Sequence, residues 1–222
     1  MSKPTLIYFP ARGRAELIRL VLAEAGLDYD EHLVGQGTPP ANGRPTDFAA
    51  LKASGLLPFN AVPVWEEPGG FRLAQSNAIA NHLARTHGLL GRTAAEAAQC
   101  DQLLGAVDDL RVELRRLVTA PAEGRAALRA ELTTATVPRW LGFLERLLKA
   151  NRDGQGFLVG EAVSIADLAL WYLLELLQDN GLGAAVAQHP SLVAFAARIG
   201  QRPRIAAYLK SSRRSPLVPL PA

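Results

Sequence analysis

The sequence predicts an α/β N-terminal half, ordered βαβ and then ββα, followed by an all-helical half. Three observations carry this prediction. An apolar strand over residues 4–9 passes through Pro10 and Gly13 into a run with helical periodicity. Residues 61–65 and 71–73 flank Pro68-Gly69-Gly70, the residue types of a hairpin turn. Beyond Gly91 no alternating segment occurs, and Leu and Ala recur at three- and four-residue spacing.

Each element follows from its own signals. Residues 15–25 place Leu17, Leu20, Val21 and Leu22 on one helical face and stop at Gly26. Residues 29–34 read as a second strand, and a strand–helix–strand unit of this kind crosses over right-handed to a parallel partner. The Gly/Pro-rich stretch 35–45 reads as an exposed loop, with a short helix over 47–53 after it. Ser76, a favoured N-cap type, starts a helix over 77–86 behind the hairpin. Residues 93–212 then form a helix bundle. Within it, Ser164-Ile165-Ala166-Asp167 is a capping box ahead of an apolar run that reads as a buried central helix. Three prolines make residues 215–222 irregular. The expected domains are 1–88 and 89–222.

A chain of 222 residues can bury a core in each of two domains. Its net charge of +3 is spread over arginines interleaved with Glu and Asp, so no nucleic-acid footprint stands out. No apolar run approaches the roughly 20 residues a membrane span needs, and the chain opens directly on a strand without a leader pattern. A lone cysteine, Cys100, excludes an intramolecular disulfide or a C-x-x-C pair and points to a reducing, cytoplasmic setting. Cys100 reads as an inert helix residue. His82 and His87 stand five apart, about 140° around a helix, and make no metal pair. No glycine-rich phosphate loop follows a strand. Neither a metal nor a cofactor is expected.

The chemistry concentrates in Tyr8-Phe9-Pro10-Ala11-Arg12-Gly13-Arg14-Ala15-Glu16. This places a phenol beside a helix N-terminus, where unpaired N–H groups and a partial positive charge favour an anion. A bound thiolate suits that arrangement. Taken alone, Tyr8 also reads as an ordinary strand aromatic, Arg12 and Arg14 as surface residues, and Asp101 as a solvated helix carboxylate.

Read together with Val62-Pro63, Gln75-Ser76, Asp101, Ser164-Ile165-Ala166-Asp167 and His189-Pro190, in that order, the chain resembles a cytosolic glutathione transferase almost end to end. The likeness is to the tyrosine classes, sigma foremost. It implies a thioredoxin-like first half that binds glutathione and a helical second half that helps form an electrophile pocket. It further implies that Tyr8 donates its hydroxyl proton to the glutathione sulfur, with Arg14 in electrostatic support. A free thiol with a pKa near 8.5 is only about 3% thiolate at pH 7, and lowering it by two units takes about 2.7 kcal/mol. One hydrogen bond to an anion supplies roughly 1.5–3 kcal/mol and a helix end about 0.3–1 kcal/mol, which together suffice.

The resemblance implies a cis Val62-Pro63 bond that aims the Val62 backbone at the tripeptide. It implies that Gln75 and Ser76 hold the γ-glutamyl carboxylate, and that Asp101 reaches the neighbouring site of a homodimer. Phe48 and Lys52 match positions that contact the glycyl end, Phe48 with packing alone because its side chain has no N–H. Ala61 stands where relatives carry a longer polar side chain. Phe9, Pro10 and Ala11, with Leu110 and Leu114, are the expected electrophile pocket. Phe59 matches an aromatic that locks some dimers of this family. Conjugation to electrophilic small molecules, with a peroxidase side activity, is the expected function. A glutathione-dependent isomerase and a non-catalytic binding or structural protein are the alternatives.

Overall fold

The computed structural model describes residues 3–35 and 44–221. Most of the loop expected over residues 35–45 therefore lies outside the described residues. The chain divides into two compact units, Met1–His87 with Ala207–Val218 and Gly88–Ala206 with Pro219–Ala222.

The first unit comprises β1 (Thr5–Tyr8), α1 (Glu16–Ala25), β2 (Asp30–Leu33), α2 (Phe48–Ala53), β3 (Val64–Glu66), β4 (Arg72–Ala74) and α3 (Ser76–Thr86). The strands lie in the order β2-β1-β3-β4, with β1 parallel to β2 and antiparallel to β3, and β3 antiparallel to β4. An interior strand is buried on both faces, so β1 is apolar without alternation: Leu6 and Ile7 are both fully buried. Side chains nevertheless alternate in direction. Ile7 and Val64 share a core cluster with Leu51 of α2, Leu57, Val34 and Ala74, and Leu6, Tyr8 and Trp65 point to the other face. Helix α1 ends, as expected, at Gly26, whose left-handed φ of 71° lets its N–H reach the Ala23 and Leu22 carbonyls.

Two features of this unit differ from the sequence expectation. Helix α3 begins at Ser76 itself, and the capping position falls to Gln75, which has φ 72°, ψ 116° and no side-chain cap. The left-handed turn at Gln75 brings Ser76 into the helix one residue early. In addition, the segment Ala207–Val218 packs with the first unit. Tyr208 donates its hydroxyl to Glu16 Oε2 at 2.9 Å, Arg213 Nη1 donates to the Tyr29 carbonyl at 3.1 Å, and Arg12 Nε donates to the Ser215 carbonyl at 3.2 Å. Polar anchors of this kind leave no periodic trace in a sequence.

The second unit is helical: α4 (Ala94–Thr119), α5 (Ala122–Glu131), α6 (Val137–Ala150), α7 (Ile165–Asp179), α8 (Gly183–Ala187), α9 (Pro190–Gly200) and the start of α10 (Pro203–Leu209). A π-helical turn over Leu132–Thr136 joins α5 to α6. Pro138 has no N–H with which to continue the regular ladder. The Thr133 and Thr134 hydroxyls donate back to the Arg129 and Ala130 carbonyls at 2.7 and 2.8 Å.

Helix α7 is the buried central helix, and its capping box forms as the sequence predicts. Asp167 Oδ2 accepts from the Ser164 N–H at 2.8 Å and its hydroxyl at 2.9 Å, while Oδ1 accepts from the Leu158 N–H at 2.7 Å. Burial outweighs these donors and pushes the Asp167 carboxyl from its ordinary 3.8 up to about 6. A carboxyl with a raised folded-state pKa binds its proton more tightly when native. Its contribution is therefore complete below the unfolded pKa and lost as pH rises through about 6. Between pH 5 and 7 the parent protein is expected to lose about 1 kcal/mol relative to Asp167→Asn, as measured by urea unfolding at the two pH values. A constant difference would mean that Asp167 stays ionised throughout.

Candidate active site

Strand register brings together residues that lie far apart in sequence. Ile7 pairs with Val64, and Val64 pairs with Ala74. One step further along, Tyr8, Pro63 and Gln75 line the same end of three neighbouring strands. The Val62-Pro63 bond at this end is cis. Gln75 is exposed, and its left-handed backbone is the kind of strain that concentrates at functional positions. Behind it, the first turn of α3 has N–H groups without intrahelical acceptors, and Ser76 sits buried among them.

The Tyr8 hydroxyl occupies a notch made by the turn before α1. The Arg14 backbone N–H donates to Tyr8 Oη at 2.9 Å. With one lone pair occupied, the phenol keeps its own proton to donate. Gly13 makes the notch possible, because a Cβ there would stand 2.5 Å from Tyr8 Oη and its φ is +42°. The spacing Tyr8-x-x-x-x-Gly13-Arg14 thus has a steric reason.

Arg19, which sequence reasoning passed over, holds this turn from beneath. Its guanidinium lies 5.9 Å from the centroid of the Tyr8 ring, its Nη1 donates to the Ala11 carbonyl at 2.8 Å, and its Nε donates to Glu31 Oε1 at 2.7 Å. Arg19 and Glu16 are almost wholly buried, with Glu16 Oε2 lying 3.6 Å from Arg19 Nη1. Burial pushes the Glu16 carboxyl up against the opposing pull of Arg19. The one signal available beforehand was an i, i+3 Glu–Arg pair, which most often lies on a solvated face.

On the α2 side an aromatic row continues from Tyr8. Tyr8 meets Phe9 edge-on at 5.6 Å between centroids, Phe9 meets Phe48 at 5.2 Å, and Lys52 Nζ stands 4.8 Å over the Phe48 ring. Phe9, Phe48 and Val62 pack on one core cluster. The row therefore runs from a hydroxyl donor to a cation across an apolar floor. Asp47 caps α2 by accepting from the Ala50 N–H at 2.8 Å, which fixes where Phe48 and Lys52 emerge. Ala61 is exposed beside Val62 and brings no polar group.

The remaining expected site residues are placed differently. Asp101 lies exposed on α4 in the second unit. Leu110 and Leu114, expected to line an electrophile pocket, are buried at 0% and 2% exposure. They belong to the stripe Leu103, Leu104, Val107, Leu110, Leu114 and Leu117 that forms the core face of α4. A pocket wall and a core stripe share one periodicity, so that expectation is corrected. Phe9, Pro10 and Ala11 are partly exposed, as a pocket wall requires. Cys100 is buried, and desolvation pushes its thiol up, away from the reactive thiolate. Among the described residues no group of three His, Cys, Asp or Glu side chains could hold a metal.

Comparison with known proteins bears on the same residues. The N-terminal domain model of glutathione S-transferases matches residues 4–85, and the C-terminal domain model matches residues 108–212. Glutathione S-transferase alpha-2 of Rattus norvegicus is 35% identical over 216 residues, covering 97% of this chain and 92% of the relative. Glutathione S-transferase P of Bos taurus is 35% identical over 213 residues, covering 95% and 93%. Among solved structures, the Pi-class glutathione S-transferase of Onchocerca volvulus superposes with a TM-score of 0.80 at 27% identity, covering 94% of this chain and 92% of that one.

Proposed function

Because the chain belongs to the glutathione S-transferase family, we propose that the sheet end bearing Tyr8, Pro63 and Gln75 is its glutathione site and that Tyr8 holds the thiolate. The reaction is conjugation: the glutathione sulfur attacks an electrophilic small molecule, and no further cofactor is required. The observation that carries the site assignment is the Arg14 N–H donating to Tyr8 Oη, which leaves the phenol proton for the sulfur.

The steps follow from the chain's own groups. The Val62 backbone pairs with the cysteinyl part of the tripeptide. Gln75, Ser76 and the N–H groups opening α3 take the γ-glutamyl carboxylate, as helix N-termini do. Lys52 takes the glycyl carboxylate, with Phe48 packing beneath it. The Tyr8 hydroxyl and the end of α1 then stabilise the sulfur as an anion, and Arg14 adds its charge. The thiolate forms the new bond as the leaving group departs from the electrophile, which lies against Phe9, Pro10 and Ala11. Lowering the thiol pKa and holding the two reactants together are the protein's two contributions. The same thiolate can attack a peroxide oxygen, the basis of a peroxidase side activity.

Finer features belong to the same proposal. The sigma-like class is supported by the order of the Tyr8, Gln75-Ser76 and Asp101 motifs, although the relatives named above are alpha and P types. A homodimer in which Asp101 reaches the neighbouring site is supported by the exposure of Asp101 on α4. A cytoplasmic location is supported by the lone, buried Cys100. Among the described residues no helix is long and apolar enough to cross a membrane.

Titrating the thiol of bound glutathione by thiolate absorbance tests the site. A midpoint about two units below that of the free thiol is expected. Binding with an unshifted midpoint would leave the fold without the activation chemistry.

A further inference from the structure

The second unit holds a cavity of about 450 Å³ between the loop over residues 152–160 and the end of α9. Its volume falls within the roughly 300–1,000 Å³ of small-molecule pockets. Arg152, Arg198, Arg202, Gln155, Gln201 and Phe157 line it, and no lining residue is acidic. We propose that this cavity is a binding site for a small aromatic carboxylate, separate from the transferase chemistry.

The walls are held in place before any ligand arrives. Asn151 Nδ2 donates to the Phe157 and Gly160 carbonyls, both at 2.8 Å, and Arg198 Nη2 donates to the Gly154 and Gly156 carbonyls at 3.1 and 2.7 Å. These clamps keep Arg152 and Asp153 in consecutive left-handed conformations, φ 51° and 52°, which side chains rarely adopt. A loop so over-determined is a rigid wall rather than a surface excursion.

The charge on this wall is suited to an anion. Both carbonyls that fix Arg198 are neutral acceptors, so they orient the guanidinium without neutralising it. Arg152 is paired with Glu161 at the rim, and Arg198 and Arg202 line the cavity from the α9 side. A guanidinium presents a planar fork that matches a carboxylate. The Arg202 guanidinium lies over the Phe157 ring, 5.8 Å from its centroid, so a cation and an aromatic ring meet on one wall. A planar ring bearing a carboxylate meets both features, stacking near Phe157 with its charge toward Arg198. Gln155 and Gln201 add hydrogen-bonding groups at the edge.

The test is a 19F NMR titration of the full chain with 4-fluorobenzoate, run with and without saturating S-hexylglutathione. Saturable binding that S-hexylglutathione leaves unchanged is expected, with 4-fluorobenzamide, the uncharged analogue, at least about tenfold weaker. Arg198→Gln and Arg202→Gln are each expected to weaken benzoate by about tenfold or more while conjugation activity stays at the parent level. Displacement by S-hexylglutathione would assign the binding to the thiol site and overturn the proposal. Equal binding of the benzamide, or unchanged affinity in both variants, would overturn it as well. If loss of the Arg198 clamps unfolds the loop, Arg202→Gln decides alone. Because the binding readout is independent of conjugation, failure here leaves the transferase reading intact, and the reverse also holds.

Discussion

Tyr8→Phe is expected to return the thiol of bound glutathione to the pKa of the free tripeptide and to slow conjugation at pH 7 by about 10- to 150-fold, the equivalent of the roughly 1.5–3 kcal/mol supplied by a hydrogen bond to an anion. The substitution is narrow. The ring keeps its edge contact with Phe9 and its place above Arg19. The Arg14 N–H loses its acceptor. Fold and glutathione affinity should therefore change little. The deficit also has a characteristic pH dependence: a raised thiol pKa moves the rate profile to higher pH, so parent and variant converge once the free thiol itself ionises. A uniform deficit at all pH values would show that Tyr8 orients the tripeptide without stabilising the anion.

Arg19→Ala is expected to destabilise the protein by about 3–5 kcal/mol, the usual cost of breaking a buried ion pair from one side. At this chain length that lowers the melting temperature by on the order of 10 °C. Two hydrogen bonds, to Glu31 and to the Ala11 carbonyl, are lost together with the ion pair to Glu16. Glu16 then keeps its bonds to Tyr208 and Arg214, while burial already pushes its carboxyl up. Removing Arg19 raises that carboxyl further, so the variant should lose more stability as pH rises and recover part of it as pH falls and the carboxyl takes up its proton. Arg19→Lys separates two roles. It keeps a charge near Glu16 but cannot reach Glu31 and Ala11 with one fixed fork, so it should recover stability better than the conjugation rate. If Arg19→Ala melts within a few degrees of the parent, the buried network does not support the turn.

Much of the candidate site was legible because its logic is local. Tyr8, Gly13 and Arg14 fall within seven consecutive positions, and the steric need for glycine beside the phenol is met within one turn. Asp47, Phe48 and Lys52 likewise follow from one cap and one short helix. The Ser164–Asp167 box is a four-residue device and forms as read. Arg19 was not legible. Its partners sit in a loop and a neighbouring strand, and Glu16 in turn bonds Tyr208, which lies 192 positions away. Nothing in the spacing of Glu16 and Arg19 distinguishes a buried pair from an exposed one. Leu110 and Leu114 failed for the opposite reason, since their periodicity is real but belongs to the core. Ser76 read as the cap of a helix starting at 77, whereas the helix takes in Ser76 and its cap position is Gln75 with φ 72°.

The order of strands and helices along the chain, the position of the phenol at a helix start and the central capped helix are readable from residue order alone, because apolar period, glycine placement and capping residues act over a few positions. Three-dimensional packing was needed to show that Tyr8, Pro63 and Gln75 share one end of the sheet, that Ala207–Val218 packs with the first unit, and that a buried arginine holds the turn beneath Tyr8. Strand register and buried charge pairing are properties of residues distant along the chain. Their free energy exists only once the backbone has brought them together and excluded water.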